Sequence, residues 1–127
     1  EHRERRVLGL LWKGLAAYMV WHRKRHLFGC NSLSSRDPAE GLRLHQQLQA
    51  GGHLHPGIRV APRPGLECRG EPAARPVKLP QLFGIYLRYG SKVLGPPAMD
   101  REFGTIDFLT TLDLQGLDPR VLADYTR

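Results

Sequence analysis

Cysteine is scarce. Cys30 and Cys68 are the two in 127 residues, far below the density of a small disulfide-stapled domain, so both are expected as free thiols. Long hydrophobic runs are missing: nothing approaches the roughly 18 apolar residues a membrane-spanning helix needs. The opening EHRERR leads into an amphipathic segment, unlike a secretory signal, and the chain reads as cytosolic. Signatures of covalent catalysis are absent as well, with no Gly-x-Ser-x-Gly elbow and no cysteine in a nucleophile motif. His53-Leu54-His55, even with Cys68, matches no zinc spacing. Cys30, at the end of an apolar stretch, reads as a small core residue. Aromatic residues make up 8% and do not interleave with the basic ones, so no stacking platform for nucleic acid is laid out.

What is present suffices for one packed domain: 41% hydrophobic and 24% charged residues, close to a globular average. Positive charge dominates, with 19 Lys+Arg against 12 Asp+Glu and a formal net charge of +7. It is concentrated early, in Arg3, Arg5, Arg6, Lys13, Arg23, Lys24 and Arg25, whereas the segment from Asp100 onward is acidic on balance. A field of this kind attracts anionic partners: a phosphorylated ligand, an acidic protein, an anionic membrane surface or nucleic acid.

Leu8, Leu11, Trp12, Leu15, Ala16 and Met19 recur at three and four and predict one apolar helix face, with Gly9 and Gly14 marking close approach to another backbone. The cations of His22 to His26 would complement that helix's C-terminal carbonyls. Leu27 to Ser32 reads as a buried strand. Asp37 as N-cap, Pro38 at the first helical position and Glu40 at the third begin a second helix, which Gly51-Gly52 stops. Between residues 51 and 80, eleven of thirty positions are Gly or Pro, too many for a regular element. The segment is expected to be a long loop, a lid or a mobile segment, with Ile58-Arg59-Val60 as a short edge strand. A helical pattern resumes over 79–94, Thr105 to Leu114 alternates as a strand, and Asp118-Pro119 begins a terminal helix.

Arg3, Arg5 and Arg6 stand at or before the first turn of the first predicted helix, where cations oppose the dipole unless an anion is bound between them. Arginine's fork suits phosphate, and a small phosphorylated ligand fits better than a nucleic-acid backbone. The stretch Arg3-Glu4-Arg5-Arg6-Val7-Leu8-Gly9-Leu10-Leu11-Trp12-Lys13-Gly14-Leu15-Ala16-Ala17-Tyr18, the strand Leu27-Phe28-Gly29-Cys30, the run Tyr86-Leu87-Arg88-Tyr89-Gly90-Ser91-Lys92-Val93 and Phe103-Gly104-Thr105-Ile106-Asp107-Phe108-Leu109 together resemble the C-terminal half of the ornithine-lipid-type N-acyltransferases. These hemolysin-like proteins belong to the Gcn5-related acetyltransferase superfamily and are similar to acyl-homoserine-lactone synthases.

The resemblance implies an α/β (α+β) fold, the C-terminal portion of an acetyltransferase-type splayed mixed sheet flanked by helices. It implies transfer of a fatty acyl group from acyl carrier protein or coenzyme A to the amine of an amino acid or polar head group. Arg3, Arg5, Arg6 and the Val7 backbone would hold the phosphate of the phosphopantetheine arm. Asn31 and Ser32, where the sheet would splay, would contact the arm or the amine. Glu4 to Val7 lack the glycines of the general acetyltransferase loop, which favours an acyl-carrier-protein donor with its single phosphate. Arg23, Lys24 and Arg25 would dock that acidic carrier. No cofactor would be bound permanently. The strands that precede the phosphate loop in the family, with their amine-activating acids, have no counterpart here, so no catalytic base is assigned. A single domain missing its N-terminal strands is expected, inactive alone, with an open sheet edge that pairs with a further copy or with the absent half. Its place would be the cytoplasm, peripherally at the inner membrane face. A noncatalytic basic module that docks an acidic protein or membrane surface is the alternative, and nucleic-acid binding a weaker one.

Overall fold

A computed structural model describes residues 10, 11, 13–15, 17–19 and 21–113. The chain divides into two compact units: the described residues up to Leu27, with Asp113, belong to one, and Phe28–Leu112 form the other. The residues described between 10 and 21 are helical and constitute α1. It ends where Arg23 takes a left-handed conformation (φ 56°), with the Lys24 N–H donating to the Met19 carbonyl at 2.7 Å. Of the apolar stripe read from the sequence, Met19 is buried, but Leu11 and Leu15 are exposed. A Cβ on Gly14 would meet nothing within 4 Å, so the close approach expected there is not made. Leu8, Gly9, Trp12, Ala16 and the terminal helix expected after Asp118 lie outside the described residues.

The remaining elements are β1 (His26–Leu33), α2 (Pro38–Ala50), α3 (Gln81–Arg88), β2 (Lys92–Val93), β3 (Ala98–Asp100) and β4 (Thr105–Asp113). α2 follows its end signals: Asp37 Oδ1 accepts from the Ala39 N–H at 3.0 Å, Pro38 opens the helix, and the Gly51 N–H closes it on the Gln47 carbonyl. α3 is shorter than the sequence pattern suggests. It stops at Arg88 because Gly90 turns the backbone to φ 93°, and the residues beyond it enter β2 in place of a further helical turn.

The sheet has four strands in the order β1-β4-β2, with β3 also on β4. β2 and β3 pair antiparallel with successive stretches of β4, Val93 opposite Thr110 and Met99 opposite Ile106. β1 ends the order on one side. It is not the buried strand expected: only Asn31 and Leu33 turn inward, and most of its other residues are exposed. One face of the sheet carries the core, in which Leu33, Val93, Ile106 and Phe108 meet Leu44 and Leu48 of α2 and Phe83 and Leu87 of α3. A mixed α/β architecture, an open sheet flanked by helices, is what the acetyltransferase resemblance implied.

The segment between α2 and α3 is a long loop, and its backbone is tied down. The His55 N–H donates to the Val93 carbonyl and the Val93 N–H to the His53 carbonyl, each at 2.8 Å, and the Val60 N–H donates to the Leu94 carbonyl at 2.9 Å. Further along, the Met99 N–H donates to the Leu66 carbonyl at 2.6 Å. Gln47 of α2 holds Val77 at both its carbonyl and its N–H. The expected edge strand at Ile58-Arg59-Val60 reduces to the single Val60 bond, and isolated bridges at Leu54 and Glu67 replace it. The loop is a strap along β2 and β3. Proline and glycine are tolerated because each contact uses one or two backbone groups and no continuous ladder is required.

His45 on α2 gives folding a pH dependence. It is half-buried, its Nδ1 has no partner among the described residues, and burial, followed by the charge of Arg59, lowers its pKa from the ordinary 6.5. The unfolded chain therefore takes up this proton more readily than the folded one, so stability falls as pH drops below about 6.5 and recovers above it. In urea unfolding at pH 7.5 and 5.5, the wild type is expected to lose more stability on acidification than His45→Gln. Equal losses would show that His45 does not govern the change.

Candidate functional site

Strand alternation separates the two polar residues picked out at the end of β1. Asn31 faces the core, 6% exposed, where its Nδ2 donates to Thr110 Oγ1 at 3.0 Å and that hydroxyl donates to the Gly29 carbonyl at 3.1 Å. A buried amide held in this way ties β1 to β4 through side chains as well as backbone. Ser32 faces the opposite, open side. Its Oγ donates to Asp107 Oδ1 at 2.7 Å, and Thr105 Oγ1 donates to the same oxygen at 2.9 Å.

Asp107 reaches this face because its neighbours Ile106 and Phe108 turn into the core and are fully buried. Cys30 lies on the same face of β1 as Ser32 and is exposed, which corrects the reading of Cys30 as a core residue: one residue of alternation places Asn31 inside and the thiol outside. The Cys30 thiol, although exposed, is partly desolvated by its neighbours, and this and, after it, the Asp107 charge raise its pKa. The thiol is thus kept in its protonated form at neutral pH, the opposite of what a nucleophilic cysteine requires. Cys68 is half-buried, its Sγ 3.5 Å from Met99 Sδ, and burial raises its pKa too.

The other residues singled out from sequence are dispersed. Arg3, Arg5, Arg6 and Val7 lie outside the described residues. Arg23 and Lys24 are exposed in the turn after α1. Arg25 makes a bidentate pair with Asp113, Nε to Oδ1 and Nη2 to Oδ2, each at 3.0 Å, and this hydrogen bonding, with the carboxylate's charge, raises the guanidinium's pKa. His55 spends its Nδ1 on the Gly57 and Ile58 N–H groups and so shapes a turn. Two shallow clefts of about 410 Å³ each open elsewhere, one beside Glu67, Arg69 and Arg101, the other beside His53, Gly84 and Arg88.

Sequence reasoning did not find Asp107 or Thr105. A trace was there, since Asp107, like Asp113, is an acid set between two large apolar residues of the alternating stretch. Its partner Ser32 lies 75 positions away, however, and only the β1–β4 register brings them together.

What the arrangement offers chemically is an oriented carboxylate on a partly open face, bordered by hydroxyls and a neutral thiol. No family model matches the chain, and no solved structure does. Among curated proteins it is 30% identical over 133 residues to the L-ornithine N(alpha)-acyltransferase of Rhodobacter capsulatus, covering 100% of this chain and 51% of that protein. The protein of the same name from Rhizobium meliloti is 30% identical, with 98% and 45% covered, and that from Brucella abortus 27%, with 98% and 47% covered. The chain spans about half the length of these relatives, consistent with the C-terminal half that the resemblance pointed to. Along its whole length, then, the chain is homologous to one half of the L-ornithine N(alpha)-acyltransferases.

Proposed function

We propose that this chain is part of an N-acyltransferase that moves a fatty acyl group from a phosphopantetheine thioester to the amine of an amino acid such as ornithine. The observation that carries the reading is similarity to ornithine acyltransferases over the entire chain. A neutral acceptor amine attacks the thioester carbonyl, the C–N bond forms and the C–S bond breaks. The amine nitrogen gives up a proton to a base, and the pantetheine sulfur leaves as a thiol. Arg3, Arg5, Arg6 and the Val7 backbone hold the arm's phosphate, and the glycine-free Glu4 to Val7 stretch favours acyl carrier protein over coenzyme A as donor. Ser32 stands on the acceptor side, while Asn31 fixes the strand that presents it. The enzyme works in the cytoplasm, at the inner membrane face where a lipid product would be released. Among the described residues no helix is long and apolar enough to cross a membrane.

The test is a chimera in which this chain replaces the matching half of the Rhodobacter capsulatus relative, assayed for transfer of a labelled acyl group to L-ornithine. Turnover is expected from the chimera and none from the chain alone. No turnover with either acyl carrier protein or coenzyme A donors would reject the reading. Arg23 and Lys24, exposed and adjacent, carry the carrier-docking part of the proposal together with Arg25. Changing Arg23 and Lys24 to Glu, with the Arg25–Asp113 pair left intact, is expected to slow reaction with the carrier-bound donor by about an order of magnitude at low salt. A free acyl-pantetheine donor, which needs no docking face, should be used at an unchanged rate. Equal slowing with both donors would assign these cations to folding.

A further inference from the structure

The open face of the sheet holds a carboxylate that the fold itself does not neutralise. Asp107 Oδ1 accepts two hydroxyl hydrogen bonds, from Ser32 at 2.7 Å and Thr105 at 2.9 Å. Two donors on one oxygen fix the carboxylate plane, and because hydroxyls are neutral they leave its charge in place. Among the described residues Oδ2 takes no hydrogen bond, and neither of the ion pairs between them involves Asp107. The chain has 19 Lys+Arg and a net charge of +7, so cations are available to a half-buried acid on this face. Around it the same face presents the Cys30 side chain and, two residues along β4, the half-buried Leu109. A charged oxygen with a polar rim and a short apolar wall fits an alkylammonium group, whose head pairs with the carboxylate while its methylenes lie on the wall.

We propose that Asp107, oriented by Ser32 and Thr105, is the specificity-determining residue that receives the second, non-reacting ammonium group of a diamino acid acceptor. The inference rests on the acyl-transfer reading above and names the acceptor class for it. A diamino acid such as ornithine brings two amines. The one that attacks must be neutral, whereas the other, with a pKa near that of lysine at about 10.4, stays charged, and the hydration it loses on binding is compensated where an anion meets it. Paired with the non-reacting amine, Asp107 would take no part in the bond changes, so its role is that of a positioning group.

The test compares L-ornithine with L-norvaline, which has the same carbon chain and lacks the terminal amine. In NMR titrations of the chain, ornithine is expected to shift the backbone amides of Ser32, Thr105 and Asp107 and norvaline is not. Asp107→Asn should weaken ornithine binding by about tenfold or more, the scale of a lost charge-assisted hydrogen bond. Ser32→Ala, which keeps the charge and releases its orientation, should weaken it less. In the chimera, Asp107→Asn should raise KM for ornithine while leaving kcat within about twofold, since positioning through a remote group changes binding more than chemistry. Equal shifts by both amino acids, no shift by either, or an unchanged KM in an active Asp107→Asn chimera would each overturn the proposal. The ornithine-against-norvaline comparison on the unaltered chain requires no variant to fold. Ornithine binding at Asp107 without acyl transfer in the chimera would sink the acyl-transfer reading and leave the diamine site standing.

Discussion

Gly95→Ala will loosen the strap from the sheet. A Cβ at this position would overlap the Val60 carbonyl oxygen and press on the rest of that peptide. The obstacle is backbone on both sides, so no side-chain rotation relieves it. Overpacking of this kind costs about 1–3 kcal/mol. Relief by moving the strap would stretch the bond from the Val60 N–H to Leu94 and those linking His53 and His55 to Val93, worth about 0.5–1.5 kcal/mol net each. Hydrogen exchange at Val60, His55 and Val93 should accelerate, and the urea midpoint should fall. Gly29→Ala is the control, because a Cβ there would meet nothing within 4 Å, and its midpoint should stay put. A Gly95→Ala protein as stable as the control would show that Val60 of the strap does not lie against the residues that follow β2.

The strap also marks the limit of what sequence carries. Its composition was legible, since eleven Gly and Pro residues in thirty exclude a regular element. Its attachment was not, because the partners of Val60, Leu66 and Gln47 lie about 30 positions away and leave no local pattern. α2 was readable nearly to the residue, as Asp37, Pro38 and Gly51 act through bonds to their own neighbours. β2 and β3, of two and three residues, are too short for any periodicity and exist because β4 offers its backbone to them. β1 misled in the other direction: Leu27 to Cys30 is an apolar run, yet Phe28 and Cys30 are exposed and the polar Asn31 is buried, its amide satisfied from across the sheet by Thr110. The site divides in the same way. Ser32 was singled out by its place at a strand end, whereas Asp107 becomes significant once the register sets it against Ser32.

Phe108→Ala is expected to cause the largest loss of stability, about 3–5 kcal/mol, because truncating a large buried ring removes its transfer free energy and leaves a cavity. Phe108 is fully buried on the central strand of the β1-β4-β2 order, and its ring lies 5.5 Å from that of Phe83 at 57°, a tilted pairing that also ties α3 to the sheet. Against a total of about 5–15 kcal/mol for an ordinary domain, that loss takes away a large share of the folded population's margin. Phe108→Leu, which keeps most of the volume, should lose distinctly less. The adjacent Asp107→Asn provides the contrast. It retains a hydrogen-bond acceptor on the partly open face, so its midpoint should lie close to the wild type's while its affinity for a diamino acid drops. Adjacent residues of one strand would then report separately on packing and on recognition, as a period of two requires. A Phe108→Ala protein with an unchanged urea midpoint would mean that β4 is out of register, and Asp107 would then not stand on the open face.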